Sequence, residues 1–179
     1  MSAFLKSTII TNRDATPKVF TDSYLSGGIL EEQQGSVFVG ASDSAKSFYR
    51  LISIPSNARV SQLYWQADAI GSSGPGQFDV AVWYPTTLPL GGGAFLASGS
   101  AGAMISSSIF ATALTANAAV ALTEITNQSL NYTIPLQETP LWNVLGMASD
   151  PEIDLDMGFV VRSATTATGY IGLRCRYQY

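Results

Sequence analysis

Asp150, Glu152, Asp154 and Asp156 crowd into the segment SDPEIDLD, the densest set of side chains in this sequence that could bind a cation or move a proton. Asp154 and Asp156 are two residues apart, so on an extended chain they share one face, as a weak cation site would require. An EF-hand loop needs a glycine and a distal glutamate at set spacings that are absent here. The plainer reading is a solvated turn entering the edge of a sheet. A glycosidase-like pair of carboxylates, drawn from distant parts of the chain, is the other route left to acid–base chemistry. Most other routes are closed. The 179 residues include no histidine, which removes Ser/His/Asp and Cys/His nucleophiles and histidine-ligated metals. The single cysteine, Cys175, can form neither an internal disulfide nor a thiolate cluster, and it lacks the usual base to activate it. Gly91, Gly92 and Gly93 are followed by Ala94 and Phe95, not by the Lys-Ser or Lys-Thr of a nucleotide loop. No catalytic residue, metal or cofactor is expected, and the chain does not read as an enzyme.

Binding is the alternative to chemistry. Hydrophobic residues make up 46% of the chain and charged ones only 12%, about half the usual charged share of a soluble domain. Such sparse charge suits a surface that is partly buried against other proteins. A neutral Ser/Thr/Asn/Gly surface that is merely soluble is the bland counterpart. The net charge is −4 and no segment concentrates Lys or Arg, so nucleic acid is not an expected partner. Arg174 and Arg176 stand two apart and read as solvated or paired. Met1 to Ile10 resembles neither a signal peptide nor an anchor, and no apolar run reaches the roughly eighteen residues of a spanning helix. The expectation is a soluble product made in the cytoplasm, with no membrane partner. Trp65, Trp83, Trp142 and eight tyrosines could serve a carbohydrate-binding module as stacking platforms, although packing or a subunit interface explains most of them. Tyr64 and Trp83 lie opposite the apolar rows of their own strands and are expected to be exposed.

The elements that would position these residues are mostly strands. Ile153, Leu155, Met157, Phe159 and Val161 alternate with polar or small residues, and so do Ile171, Leu173, Cys175, Tyr177 and Tyr179. A period of two over that length means half-buried strands, and the Thr/Ala/Gly linker Ser163 to Gly169 predicts a hairpin between them. In the last of these strands Cys175 reads as a small buried hydrophobe. Strands are also predicted over Ser47–Ile54, Arg59–Ile70 and Phe78–Tyr84, with a shorter one at Gly35–Val39 and loops such as GSSGPG between them. Thr139 to Gly146 predicts one short helix, with Thr139 as N-cap, Pro140 in the first turn and Gly146 as terminator. Ile105, Ile109, Phe110, Ala113 and Leu114 recur at helical spacing and predict a second over Ser106–Leu114. Residues 1–35 show no regular pattern and read as an N-terminal arm with the first extended segments; residues 36–179 read as a single domain. The fold class expected is mainly β, an antiparallel jelly-roll-like β-sandwich with one or two short helices and an extended N-terminal arm.

Three blocks carry a family resemblance: KSTIITNRDATPKV (Lys6–Val19), SFYRLISIPSNARVSQL (Ser47–Leu63) and ETPLWNVLGMASDPEIDLDMGF (Glu138–Phe159). They resemble small virion proteins encoded among the head genes of tailed bacteriophages, with S-[FV]-Y-R-[LV]-x-x-[IV]-P-S-N-A-R-V as the most specific pattern and Gly91–Ala121 carrying least of the likeness. The resemblance implies a jelly-roll cement or decoration protein on the outer capsid surface of the virion. Such a protein would bind as a homo-oligomer, dimer or trimer, and would clamp neighbouring copies of the major capsid protein. Partner-binding residues expected on this view are Asn12, Arg13 and Asp14 in the arm, with Tyr64 and Trp83 on the domain. A glycan-binding virion module, for receptor or host-surface adhesion, is the alternative.

Overall fold

Alternating sequence becomes paired strands wherever one face can be buried. A computed structural model of the chain describes residues 29–71, 76–86, 101–128 and 131–178. The strands are β1 (Glu31–Val39), β2 (Phe48–Pro55), β3 (Arg59–Ala67), β4 (Gln77–Trp83), β5 (Met104–Ser106), β6 (Leu114–Thr115), β7 (Val120–Glu124), β8 (Asp154–Val161) and β9 (Gly169–Gln178). Two one-turn helices, α1 (Ile134–Gln137) and α2 (Leu141–Val144), lie between β7 and β8. The first sheet has the order β1-β9-β3-β7, and the second β2-β8-β4-β5 with β6 also on β4. Every pairing is antiparallel. From β1 to β4, and again from β7 to β9, each strand lies in the opposite sheet from the one before it. That winding is a jelly-roll-like sandwich.

The hairpin expected at the C-terminus is not formed. β8 pairs with β2 and β4, whereas β9 pairs with β1 and β3 in the other sheet. Both strands carry one apolar row, and those rows face each other across the core rather than lying side by side. The linker is held at the end of the sandwich: Arg162 N–H donates to the Gln77 carbonyl, Thr165 N–H to that of Asp43, and Thr166 N–H to that of Ile70. Nor is Ser106–Leu114 a helix. Ile105 belongs to β5, Phe110 and Leu114 are buried, and Ala113 has φ +55°, which no right-handed helix contains. The segment runs as a bent strip along β4, fastened by Val80 N–H to the Ala111 carbonyl and by Ala113 N–H to Asp79 Oδ1 at 2.8 Å. The helix predicted at Thr139–Gly146 is present as α2, but Pro140 is its N-cap and Thr139 Oγ1 instead donates to the Pro135 carbonyl. Gly146 ends it at φ +75°. The strand read at Gly35–Val39 begins earlier, at Glu31.

The core is built from the inward rows. Leu63, Trp65 and Ala67 of β3 face Leu155, Met157 and Phe159 of β8, and all are buried. Trp65 and Phe159 meet across the two sheets with ring centroids 6.3 Å apart. Burying a side chain such as Leu63 or Phe159 contributes roughly 2 kcal/mol. Cys175 is part of this interior, as its alternation predicts. Buried Tyr132 keeps its hydroxyl satisfied by donating to the Val60 carbonyl at 2.7 Å. One edge of the sandwich closes where β2 bulges between Arg50 and Ile52. There the Leu51 carbonyl would lie 2.2 Å from any Cβ at residue 35, so only glycine lets β1 come so close.

Candidate functional site

With the inward rows committed to the core, any binding surface must lie on the outward rows. On the second sheet these rows centre on Arg50. Its Nη1 donates to Asp156 Oδ2 at 3.1 Å and to the Tyr84 carbonyl at 3.2 Å, and its Nη2 donates to the Gly102 carbonyl at 2.7 Å. The guanidinium also stacks between Phe48 and Trp83, 5.7 Å and 5.6 Å from the two ring centroids. This arrangement corrects one expectation. Trp83 does face away from the core, yet it is only 3% exposed, because Phe48 and Arg50 lie over its ring. Phe48 takes the exposed role at 57%, with Met104 beside Trp83 in register on β5.

The outward face of the first sheet is organised by register. Phe38 stands opposite Tyr170, Ser36 opposite Gly172, Gln34 opposite Arg174 and Glu32 opposite Arg176. On the other side of β9, Gln66 pairs with Gly172 and Tyr64 with Arg174. One end of this face is a charged ladder. Arg176 Nε donates to Glu32 Oε2 at 2.7 Å, Arg174 Nε lies 3.5 Å from Glu32 Oε1, and Arg176 Nη1 donates to Gln62. The two arginines therefore share one carboxylate, which falls within the solvated-or-paired reading of their spacing. The hydrogen bond from Arg176 holds the Glu32 carboxyl below its ordinary range against a weaker effect of desolvation, with the charges of Arg174 and Arg176 adding to it. Tyr64, expected to be exposed, is instead half-buried, because the Arg176 guanidinium lies over it 5.7 Å from its ring centroid.

The other end is apolar. Phe38 and Tyr170 are 56% and 59% exposed and meet edge to face, with centroids 5.3 Å apart. Between the two ends lies a groove of about 670 Å³, crossing the sheet over Gly172 with Gln34, Ser36, Gln66, Asp68, Leu122 and Arg174 around it. Sequence reasoning missed this place. Tyr170 was the available signal, an aromatic ring in the polar row opposite Ile171; nothing local marks Leu122 or Gly172.

The residues first suspected of chemistry do not converge. Asp156 is held by Arg50, and Asp150 accepts hydrogen bonds from Ser56 Oγ and from the Glu152 N–H, while Asp154 points to solvent. Among the described residues no group of three or more His, Cys, Asp or Glu side chains is placed to hold a metal ion. Burial pushes the Cys175 thiol far above its ordinary range, which suits a packing residue. No helix among the described residues is long and apolar enough to cross a membrane. Asn12, Arg13 and Asp14 lie outside the described residues.

No protein-family model and no curated protein sequence matches this chain. Among solved structures it is similar to a chain of "Capsid of Ralstonia phage GP4", at 16% identity over 84% of each chain with a TM-score of 0.55. It is also similar to a chain of "Cyanophage Pam1 capsid asymmetric unit", at 16% identity over 85% of this chain and 86% of that one, with a TM-score of 0.47. The first likeness establishes a shared fold.

Proposed function

We propose that this chain is a structural virion protein that binds the outside of a phage head as a dimer or trimer and clamps neighbouring major capsid subunits. The observation that carries the reading is the outward placing of large apolar side chains over a complete core. Phe48 and Met104 are each more than half exposed on the second sheet, and Ile29 and Leu30 at the root of β1 are exposed too. In a chain with so few charges, surface of this kind favours burial against partners. The fold shared with a chain of a phage capsid structure supports the setting. The resemblance of Lys6–Val19 to phage virion proteins makes Asn12, Arg13 and Asp14 the preferred capsid contacts, with Tyr64 as a lesser one; Trp83 acts by supporting Phe48.

The mechanism involves no reaction. A subunit that binds the assembled shell and not its dispersed parts stabilises the shell by linkage, and many symmetric copies multiply a modest interface energy. The test is co-sedimentation of purified protein with heads that lack it. Saturation at a fixed copy number per head, together with a higher temperature of head disruption, is the expected result. Protein that stays in the supernatant as a monomer would end the proposal.

A further inference from the structure

We propose that the groove over Gly172 binds a neutral oligosaccharide. The groove exists because one side chain is missing from the outward row of β9. Among the described residues, a Cβ at residue 172 would meet only the Gly35 carbonyl oxygen at 3.5 Å and Ser36 Cβ at 3.7 Å, so none of them fills the space above the backbone. Tyr170 forms one wall, and the edge contact from Phe38 fixes the orientation of its exposed ring. An aromatic face held in this way suits the C–H face of a pyranose, with Leu122 adding apolar surface. The remaining lining offers both donors and acceptors. Gln66 is exposed, and Ser36 brings a hydroxyl. Gln34 keeps its amide N–H groups after its Oε1 accepts from Arg174, and Asp68 keeps one carboxylate oxygen after Oδ2 accepts the Tyr170 N–H at 2.7 Å. Such a mixture matches hydroxyl groups, which donate and accept at once.

Charge decides which sugars fit. Among the described residues one cation and one carboxylate, Arg174 and Asp68, line the groove and cancel, so it carries no net charge to favour a phosphate or an acidic sugar, whose anion would also face Asp68. A volume of about 670 Å³ falls among ordinary small-ligand clefts and accommodates a few sugar rings.

The test titrates the intact protein with panels of neutral and acidic oligosaccharides, read by saturation-transfer NMR and calorimetry. Neutral glycans are expected to bind, with the Tyr170 ring protons perturbed. Tyr170→Ala should weaken binding at least about tenfold, and Gly172→Val should abolish it while leaving thermal unfolding nearly unchanged. Tyr170 lies at the surface, so its variant serves even if residue 172 tolerates valine poorly. Absence of neutral-glycan binding, preference for acidic glycans, or binding that survives both substitutions would overturn the proposal. So would wild-type protein that binds no glycan while Gly172→Val loses head binding, since the groove would then be a protein contact. Head co-sedimentation of the same variants keeps the two proposals separate: sugar binding without head binding defeats only the clamp, and head binding without sugar binding defeats only this one.

Discussion

Gly158 and Gly172 occupy equivalent places in the two sheets, each on the outward row of an interior strand, with opposite consequences. At Gly158 a Cβ would lie 1.9 Å from the Tyr49 carbonyl oxygen, because bulged β2 closes over β8 there. At Gly172 the same atom would meet only ordinary contacts among the described residues, and the space they leave is a groove. A glycine inside a strand weakens it in either case. One is required by the close approach of backbone; the other is free to be anything the fold allows, and its smallness creates a surface feature. The two outward faces repeat the contrast: the second sheet uses Arg50 to fasten its own parts together, while the first leaves Tyr170 and Phe38 uncovered.

The sharpest way to break this comparison is to add a methyl group at each glycine. Gly158→Ala should cost roughly 3 kcal/mol or more, because a backbone carbonyl must move. Gly172→Ala should stay within about 1 kcal/mol of wild type and could gain stability by restricting the unfolded chain. Urea unfolding of both variants checks this, and equal losses would remove the distinction.

A smaller effect separates the two arginine clusters. Arg50→Ala removes an ion pair, two bonds to loop carbonyls and the cover over Trp83, and should cost about 2 kcal/mol. Its second readout is Trp83 fluorescence, which should become open to a soluble quencher. Arg176→Ala breaks a more exposed, solvent-screened pair and should lower the urea midpoint clearly less than Arg50→Ala does. Similar losses at both positions would mean that the ladder on the first sheet is as structural as the cluster on the second.

The contrast also shows what was legible in the sequence. Alternation is a local property, so the inward rows around Phe159 and Ile171 could be read directly, as could the burial of Cys175. Sheet membership is not local. β8 and β9 have the composition of a hairpin, and only the competing demands of β1, β2, β3 and β4 send them to different sheets. Ile105 to Leu114 satisfies a helical period by coincidence; Phe110 and Leu114 are buried, and Ile105 and Ile109 partly so, by a bent edge whose turn needs Ala113 at positive φ. The alternation puts Trp83 on the correct face, but an outward row need not be an exposed one when Arg50 and Phe48 of β2 reach across β8 to cover it. The groove was invisible for the same reason. Its walls come from four strands, and its floor is the absence of a side chain.

The smallest expected effect concerns pH, and it tests whether the ladder beside the groove is organised or incidental. Glu32 is depressed in the folded protein from its ordinary 4.5, first of all by the hydrogen bond from Arg176. A carboxylate lowered in this way contributes stability that is fully present above its unfolded value and is lost as the pH falls through its folded one. Glu32→Gln removes that contribution, so wild type should exceed the variant slightly at neutral pH and the gap should close on acidification below about 4.5. Because the group is exposed, added salt at neutral pH should close the same gap. Urea midpoints of the two proteins across pH, at low and high salt, measure both changes. Profiles that run parallel would mean that the Arg176 hydrogen bond does not hold the Glu32 carboxylate, and the ladder beside the groove would then be incidental.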